Sequence, residues 1–349
     1  MLSLEKPGML STKNLLTSPY SLIETFGWVK RFFLGLSDKN EGHIKYLPKS
    51  FRMNQISPKY TIALIGDIMD LKFNRLVIHD SVKNFIKGSD FLIGNFEGIL
   101  GSKISRFQNK QHNPQILDAL ATLFPPNKTF LSVANNHSGD LGKKSLFHTI
   151  MGLKKHGFNV FGTVKNPWAD LTEELRVVGA TQWSNRPCSY ITKLEDATNY
   201  LKKGSFNLLF PHWGYERELY PRLKIIRRGE HFLDGFNSLI GHHSHCPQPV
   251  SLFKVNKMKK LIAFSLGNFC YSLDNKKHEG YNYGIAVKME IGRSIKGKWS
   301  IGKVSWTFLK STTKSKASIV KTGTTFRPST LKLLRLKEKN YFLKNLNIM

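Results

Sequence analysis

The chain is predicted to fold as an α/β sandwich, and three observations carry that expectation. Short apolar runs recur from about residue 55, each stops abruptly at polar, chemically capable residues, and helix-like segments separate several of them. Runs of four to six apolar residues bounded by Gly, Asn or Pro are too short for helices and read as strands buried on both faces. "PQILDALATLF" and "SLFHTIMGLKKHG" instead place apolar residues at three- and four-residue spacing, and Gly157 ends the second as a C-cap glycine. Alternation of the two element types predicts layers of sheet and helix.

Taken in order, "YTIALIGDIMD" ends in Asp67, and "DFLIGNFEG" ends in Asn95 and Glu97. "TFLSVANNHSGD" ends in Asn135, Asn136 and His137. "FNLLFPHWGYE" reaches His212, with Tyr215 and Glu216 just beyond, and "NSLIGHHSH" ends in His242, His243 and His245. A sixth run, "LIAFSLGNF", ends in Asn268. In open α/β sheets the ligand site lies beyond the carboxyl ends of the strands, so these clusters are expected to meet at one rim. Imidazole is among the commonest metal ligands, and His-x-His spacing lets two rings converge on one centre.

With 349 residues, 40% of them hydrophobic and 12% aromatic, the chain can bury a substantial core. It reads as one large domain with additions: an N-terminal extension over 1–54, a core over 55–290 and a basic C-terminal extension over 291–349. The formal net charge is +29, which favours anionic partners. The last 59 residues hold 11 Lys and 3 Arg against one acid, Glu338. There, "GKWSIGKVSWTFLK" alternates well enough for a strand pair, and "TLKLLRLKEKNYFLKNL" reads as a basic amphipathic helix. The N-terminal stretch over residues 1–40 holds no apolar run long enough for a signal segment or a spanning helix. "SLIETFGWVKRFFLGL" is an amphipathic helix that either docks its apolar stripe on the main domain or lies flat on an anionic membrane. Cys188, Cys246 and Cys270 are scattered, without C-x-x-C spacing, which suits a reducing compartment.

Residue by residue, "GDIM", "NFEG", "ANNHSGDLG", "HWGYE", "GHHSH" and "SLGNF" resemble the CapA family of capsule and poly-gamma-glutamate synthesis proteins, within the calcineurin-like metallophosphoesterase superfamily. The resemblance covers about residues 60 to 275 in the expected order. It implies an α/β/β/α metallophosphatase sandwich and a centre for one or two divalent metal ions, with Mn, Fe or Zn expected. On that likeness Asp67 binds one metal and takes part in catalysis, Glu97 occupies the bridging-carboxylate position, and Asn136, His212 and His243 hold the second metal. His245 completes the first, and His137 faces the substrate as the catalytic group that stabilises or protonates a leaving oxygen. Met69 stands where the superfamily usually has a histidine, which leaves the first metal short of a ligand. Ile99 and Ser244 stand where the family often has proline.

The superfamily's Gly-His-x-His pattern is stretched here by one residue, so the choice between His242 and His243 stays open. Asn135 is expected to shape its turn. Tyr215 and Glu216 are expected to line the pocket or form a polar rim, and Asn268 to shape a closing turn. The expected function is metal-dependent phosphoester hydrolysis or related chemistry in bacterial surface-polymer synthesis, on an anionic polymer or a phosphoester. The rival is a non-catalytic scaffold that docks a polymer-synthesis complex or an anionic membrane. The expected location is cytoplasmic, with peripheral association at the inner membrane as the alternative. No nucleic-acid motif is present, and nucleic acid is not an expected partner.

Overall fold

Alternate residues of the strand Ile56–Ile68 part to opposite sides: Ile62 and Leu64 enter a core between two sheets, while Ala63 and Ile65 face helices. The strand Phe206–His212 repeats this in the other sheet, with Leu208 and Phe210 turned inward and Leu209 outward. Burial on both faces is why such strands read as continuous apolar runs rather than as alternating ones.

The computed structural model describes residues 18–101, 110–272, 276–314 and 318–325. Among them one sheet has ten strands. Its main path runs Arg75–Ile78, Ile319–Thr325, Trp299–Lys314, Tyr283–Ser294, Ile56–Ile68, Phe91–Phe96, Thr129–Ser132 and Asn159–Phe161, with Ser50–Arg52 and Asn268–Cys270 attached beside it. The second sheet has six, in the order Val250–Val255, Met258–Ala263, Ser238–Ile240, Phe206–His212, Leu175–Thr181 and Trp168–Thr172. Helices Asp80–Ile86, Ile116–Leu123 and Gly142–Lys155 cover the outer face of the first sheet through Val82, Leu117, Leu120 and Leu146. Helix Leu223–Phe232 covers the second through Ile225, Ile226 and Phe232. The layers are therefore α/β/β/α, as expected. Gly157, at φ 87°, follows the third of these helices where a left-handed residue is needed.

The boundary expected at residue 290 is corrected. It falls inside the strand Tyr283–Ser294, which pairs along most of its length with the Asp67 strand. Trp299–Lys314 is one long strand rather than a pair, and it lies between Tyr283–Ser294 and Ile319–Thr325. Ile291, Ile301, Val304, Trp306 and Phe308 lie in the core between the sheets. The basic bias had suggested an appendage, but Lys288, Lys303 and Lys310 occupy the half-exposed or exposed positions of these strands. The N-terminal extension is also built in, since Tyr46, Leu47 and Met53 join the same core. The basic helix expected over 330–346 lies outside the described residues.

Helix Leu22–Leu34 forms with Ser21 as its N-cap. It docks through Trp28 and Arg31, not through its broad apolar stripe. Leu22, Ile23, Phe26, Phe33 and Leu34 are instead exposed, at 69–84% of their surface, with Lys30 among them. The expected docking of the stripe is corrected accordingly. Polar anchors prevail because Arg31 reaches both Glu218, at 3.2 Å, and the Glu216 carbonyl, at 2.9 Å. No helix among the described residues is long and apolar enough to cross a membrane.

A chain ended after Glu290 should fail to fold, because the loss of Trp306 and Phe308 opens the core between the sheets. Circular dichroism and urea titration check this; a cooperative transition in the shortened chain would contradict the sheet order described.

Candidate metal centre

Asp67 closes the central strand of the first sheet and is fully buried. Its backbone N–H donates to the Gly267 carbonyl at 2.9 Å. The two chains approach so closely that a Cβ on Gly66 would lie 2.0 Å from the Gly267 oxygen, so glycine is required there. This contact brings Asn268 alongside Asp67.

Two groups of side chains converge at the rim. In the first, Asn136 Oδ1 lies 2.7 Å from His212 Nε2, and His243 Nδ1 lies 2.8 Å from that same nitrogen. In the second, His245 Nδ1 lies 3.4 Å from Asp67 Oδ2, and His245 Nε2 lies 3.3 Å from Glu97 Oε1. Taking one ligand atom from each residue, Asp67, Glu97 and His245 lie within 4.8 Å of one another, and so do Asp67, His212 and His242. His242 approaches from another side, its Nδ1 at 2.7 Å from His212 Nδ1 and 3.2 Å from Asp67 Oδ1. Both His242 and His243 thus reach the rim, by opposite nitrogens of His212.

The carboxylate common to the two clusters Asp67–His212–His242 and Asp67–Glu97–His245 is Asp67 rather than Glu97, a difference from the expected bridging role. Asp67 sits at the junction of the two sheets, whereas Glu97 lies past its strand end, 3.3 Å from His245 and 3.8 Å from His137. Both Glu97 oxygens are buried and accept no hydrogen bond, and His242 Nε2 is likewise without one. A buried carboxylate left so is costly unless a cation answers it. These donor types and orphaned oxygens fit a divalent cation.

Neighbouring side chains orient the groups. Asn95 donates to Asp67 Oδ1 at 2.7 Å, and the His243 backbone N–H donates to Oδ2 at 3.0 Å. Asn136 donates its amide hydrogen to Asn185 Oδ1 at 3.0 Å, which turns Oδ1 toward His212. Asn268 Oδ1 holds His245 Nδ1 at 3.0 Å. Asn135 accepts from the His137 backbone N–H at 3.2 Å and donates to the Phe96 carbonyl at 2.9 Å, so it shapes the turn. His243 and His245 adopt left-handed backbone, at φ 100° and 55°. That conformation, uncommon for such residues, aims three rings from four positions at one centre.

Several contributors carried no visible sequence signal. Asp140 sits 2.6 Å from His137 Nδ1, a contact that only its three-residue spacing could have hinted at. His112 is buried and holds the Glu97 carbonyl at 2.8 Å. A cavity of about 290 Å³ opens over Asn136, His137 and His245. Lys72, Lys110 and Arg217 supply positive charge around it, and Trp28, Phe32, Tyr271 and Tyr281 supply aromatic wall. Glu216 lines this cavity; Tyr215 turns into the core and packs against Tyr20.

Burial alone would raise the Asp67 carboxyl, but hydrogen bonds from His242 and His245 and the charge of His242 and His212 hold it well below its ordinary value. Burial pushes Glu97 well above the usual carboxylate range. Burial also lowers His212, and lowers His243 to about 3, which keeps both imidazoles neutral. His245 is raised to about 9 against its burial, because Glu97 and Asp67 face it.

The description "Bacterial capsule synthesis protein PGA_cap" belongs to a family model that matches residues 61–272, and the chain is a member of that family. It is 26% identical over 267 residues to the capsule biosynthesis protein CapA of Bacillus anthracis, covering 64% of this chain and 62% of that protein. It is 22% identical over 244 residues to the PGA biosynthesis protein CapA of Bacillus subtilis (strain 168), covering 60% of this chain and 62% of that protein. The matched region thus spans about 62% of the length of either relative. The crystal structure of calcineurin-like phosphoesterase YfkN from Bacillus subtilis aligns over 79% of this chain and 96% of that one, at 12% identity and a TM-score of 0.38, too low to bear on the chemistry.

A cation seated beside Asp67, Glu97 and His245 must displace the proton that His245 holds below about pH 9. Uptake of Mn²⁺ at pH 8 should therefore release protons, and affinity should strengthen by up to about tenfold per pH unit until pH passes that value. Calorimetry in two buffers of different ionisation heat measures the release; binding without it would exclude His245 as a ligand.

Proposed function

We propose that the chain is a metal-dependent enzyme of capsule or poly-gamma-glutamate-type surface-polymer synthesis, acting by phosphoester hydrolysis or related chemistry. The observation that carries this reading is the pair of buried Glu97 oxygens without hydrogen bonds, beside Asp67 and His245 and next to the Asn136, His212 and His243 group. Asp67, Glu97 and His245 would hold one divalent cation, and Asn136, His212 and His243 a second. Met69 in place of a histidine leaves the first position the poorer in ligands, since a thioether binds hard cations weakly.

A divalent cation there supplies Lewis acidity, which acidifies water and neutralises phosphoryl charge. The chain's own residues do the rest. His137 lines the cavity, and Asp140 at 2.6 Å from Nδ1 fixes the ring so that Nε2 faces inward. From Nε2, His137 donates a proton to the leaving oxygen, a contribution of about 10²–10⁴ in rate. Lys72, Lys110 and Arg217 attract and seat an anionic substrate, and the aromatic wall excludes water from its flank.

His212→Ala and His243→Ala should each lose bound metal by elemental analysis and most turnover in a phosphoester screen with added manganese. His137→Ala should keep its metal but lose about 10²–10⁴ in turnover. Full turnover in both ligand variants would sink the reading.

A second reading, a scaffold subunit on an anionic membrane, is favoured by one observation. The exposed face of Leu22, Ile23, Phe26, Phe33 and Leu34 surrounds Lys30 in a protein of net charge +29. Under it, the full chain sediments with phosphatidylglycerol vesicles at low salt, and Phe26→Glu with Phe33→Glu abolishes this. Equal sedimentation of wild type and double variant, or none by wild type, argues against it.

A further inference from the structure

Residues ahead of the family-matched region place an atom at the metal centre. Tyr20 is buried against Trp183 and Tyr215, with ring centroids 5.0 and 5.7 Å away. Its hydroxyl oxygen lies 2.8 Å from His243 Nε2 and accepts from the Glu216 backbone N–H at 3.3 Å. The segment is pinned in place largely on that residue. Trp28 Nε1 donates to Glu216 Oε2 at 2.9 Å, Arg31 Nε donates to the Glu216 carbonyl at 2.9 Å, and Arg222 pairs with Glu24 at 2.6 Å.

Counting protons along the chain of contacts decides what Tyr20 does. Asn136 presents Oδ1, an acceptor, because its amide hydrogens face Asn185. His212 must therefore carry a proton on Nε2 in the metal-free protein, and its Nδ1 faces His242 Nδ1 at 2.7 Å. His243 Nδ1 lies 2.8 Å from that Nε2–H, so it too must be bare. With Nδ1 bare, the ring proton of His243 sits on Nε2 and points at the Tyr20 oxygen, which has lone pairs for both it and Glu216 N–H. The opposite arrangement, with Tyr20 donating, would set two N–H groups against each other between His243 and His212.

We infer that Tyr20 is a positioning residue: it accepts the Nε2–H of His243 and so keeps Nδ1 of that ring bare and turned toward His212 and Asn136. The inference rests on reading those three residues as cation ligands. It makes the segment before residue 61 part of the centre, although the family model begins only there. A partner on the far nitrogen of a ligating imidazole fixes its tautomer, and its loss costs about 10–100-fold in metal affinity.

The test uses the full-length, metal-free protein. Long-range ¹H–¹⁵N correlation spectra of the imidazoles should show His243 protonated on Nε2. In Tyr20→Phe, which keeps the ring packing, that preference should weaken, and Mn²⁺ affinity should fall about 10–100-fold at an unchanged thermal midpoint. A wild-type His243 protonated on Nδ1 overturns the inference, as does a Tyr20→Phe protein with unchanged tautomer and unchanged Mn²⁺ affinity. If Tyr20→Phe fails to fold, the wild-type tautomer alone decides. A wild type that shows the Nε2–H form, loses it in Tyr20→Phe and yet binds no Mn²⁺ leaves the positioning role standing and removes the metal reading instead.

Discussion

A carboxylate taken entirely out of water is the constraint around which this molecule is arranged. Asp67 is fully buried at the meeting of two sheets, and the cost of such a charge falls only where donors and opposite charge surround it. Asn95 supplies that surrounding from one strand, and the His243 backbone N–H, His242 and His245 supply the rest from a single loop of the other sheet. Each can arrive only because a strand ends at the rim. The left-handed backbone at His243 and His245, at about 1–3 kcal/mol each, persists because the same contacts over-determine the loop.

The second carboxylate balances differently. Glu97 has the burial of Asp67 without its hydrogen bonds, so its proton affinity rises where that of Asp67 falls. Two neighbouring acids are pushed in opposite directions, with His245 held charged between them. A divalent cation there would take the place of that proton, and it inverts the local preference for protons. The neutral rings of His212 and His243 already suit such a ligand, because burial removes their protons without any metal.

Domain edges drawn by composition dissolve in the folded state. The Tyr283–Ser294 and Trp299–Lys314 strands complete the sheet that carries Asp67, and Tyr46, Leu47 and Met53 fill the space between sheets from the other end of the chain. The helix Leu22–Leu34 joins the cavity wall by polar anchors while leaving most of its apolar face outside. Charge along a strand marks which positions face water. It does not mark where a domain stops.

Local chemistry in the chain was enough to establish the layered α/β class and the six strand-end clusters. Apolar run length, turn residues and ligand-type side chains are all written within a few positions of one another. The turn role of Asn135 and the helix ends at Gly157 were legible for the same reason. What the tertiary structure alone decided is which distant atoms meet: Asp67 rather than Glu97 at the junction, Asp140 behind His137, His112 beneath Glu97, and Tyr20 on His243. Those pairings depend on strand order and backbone approach across tens to hundreds of residues. A one-dimensional pattern holds no record of them, because hydrogen bonds and desolvation act through distance in space and not along the chain.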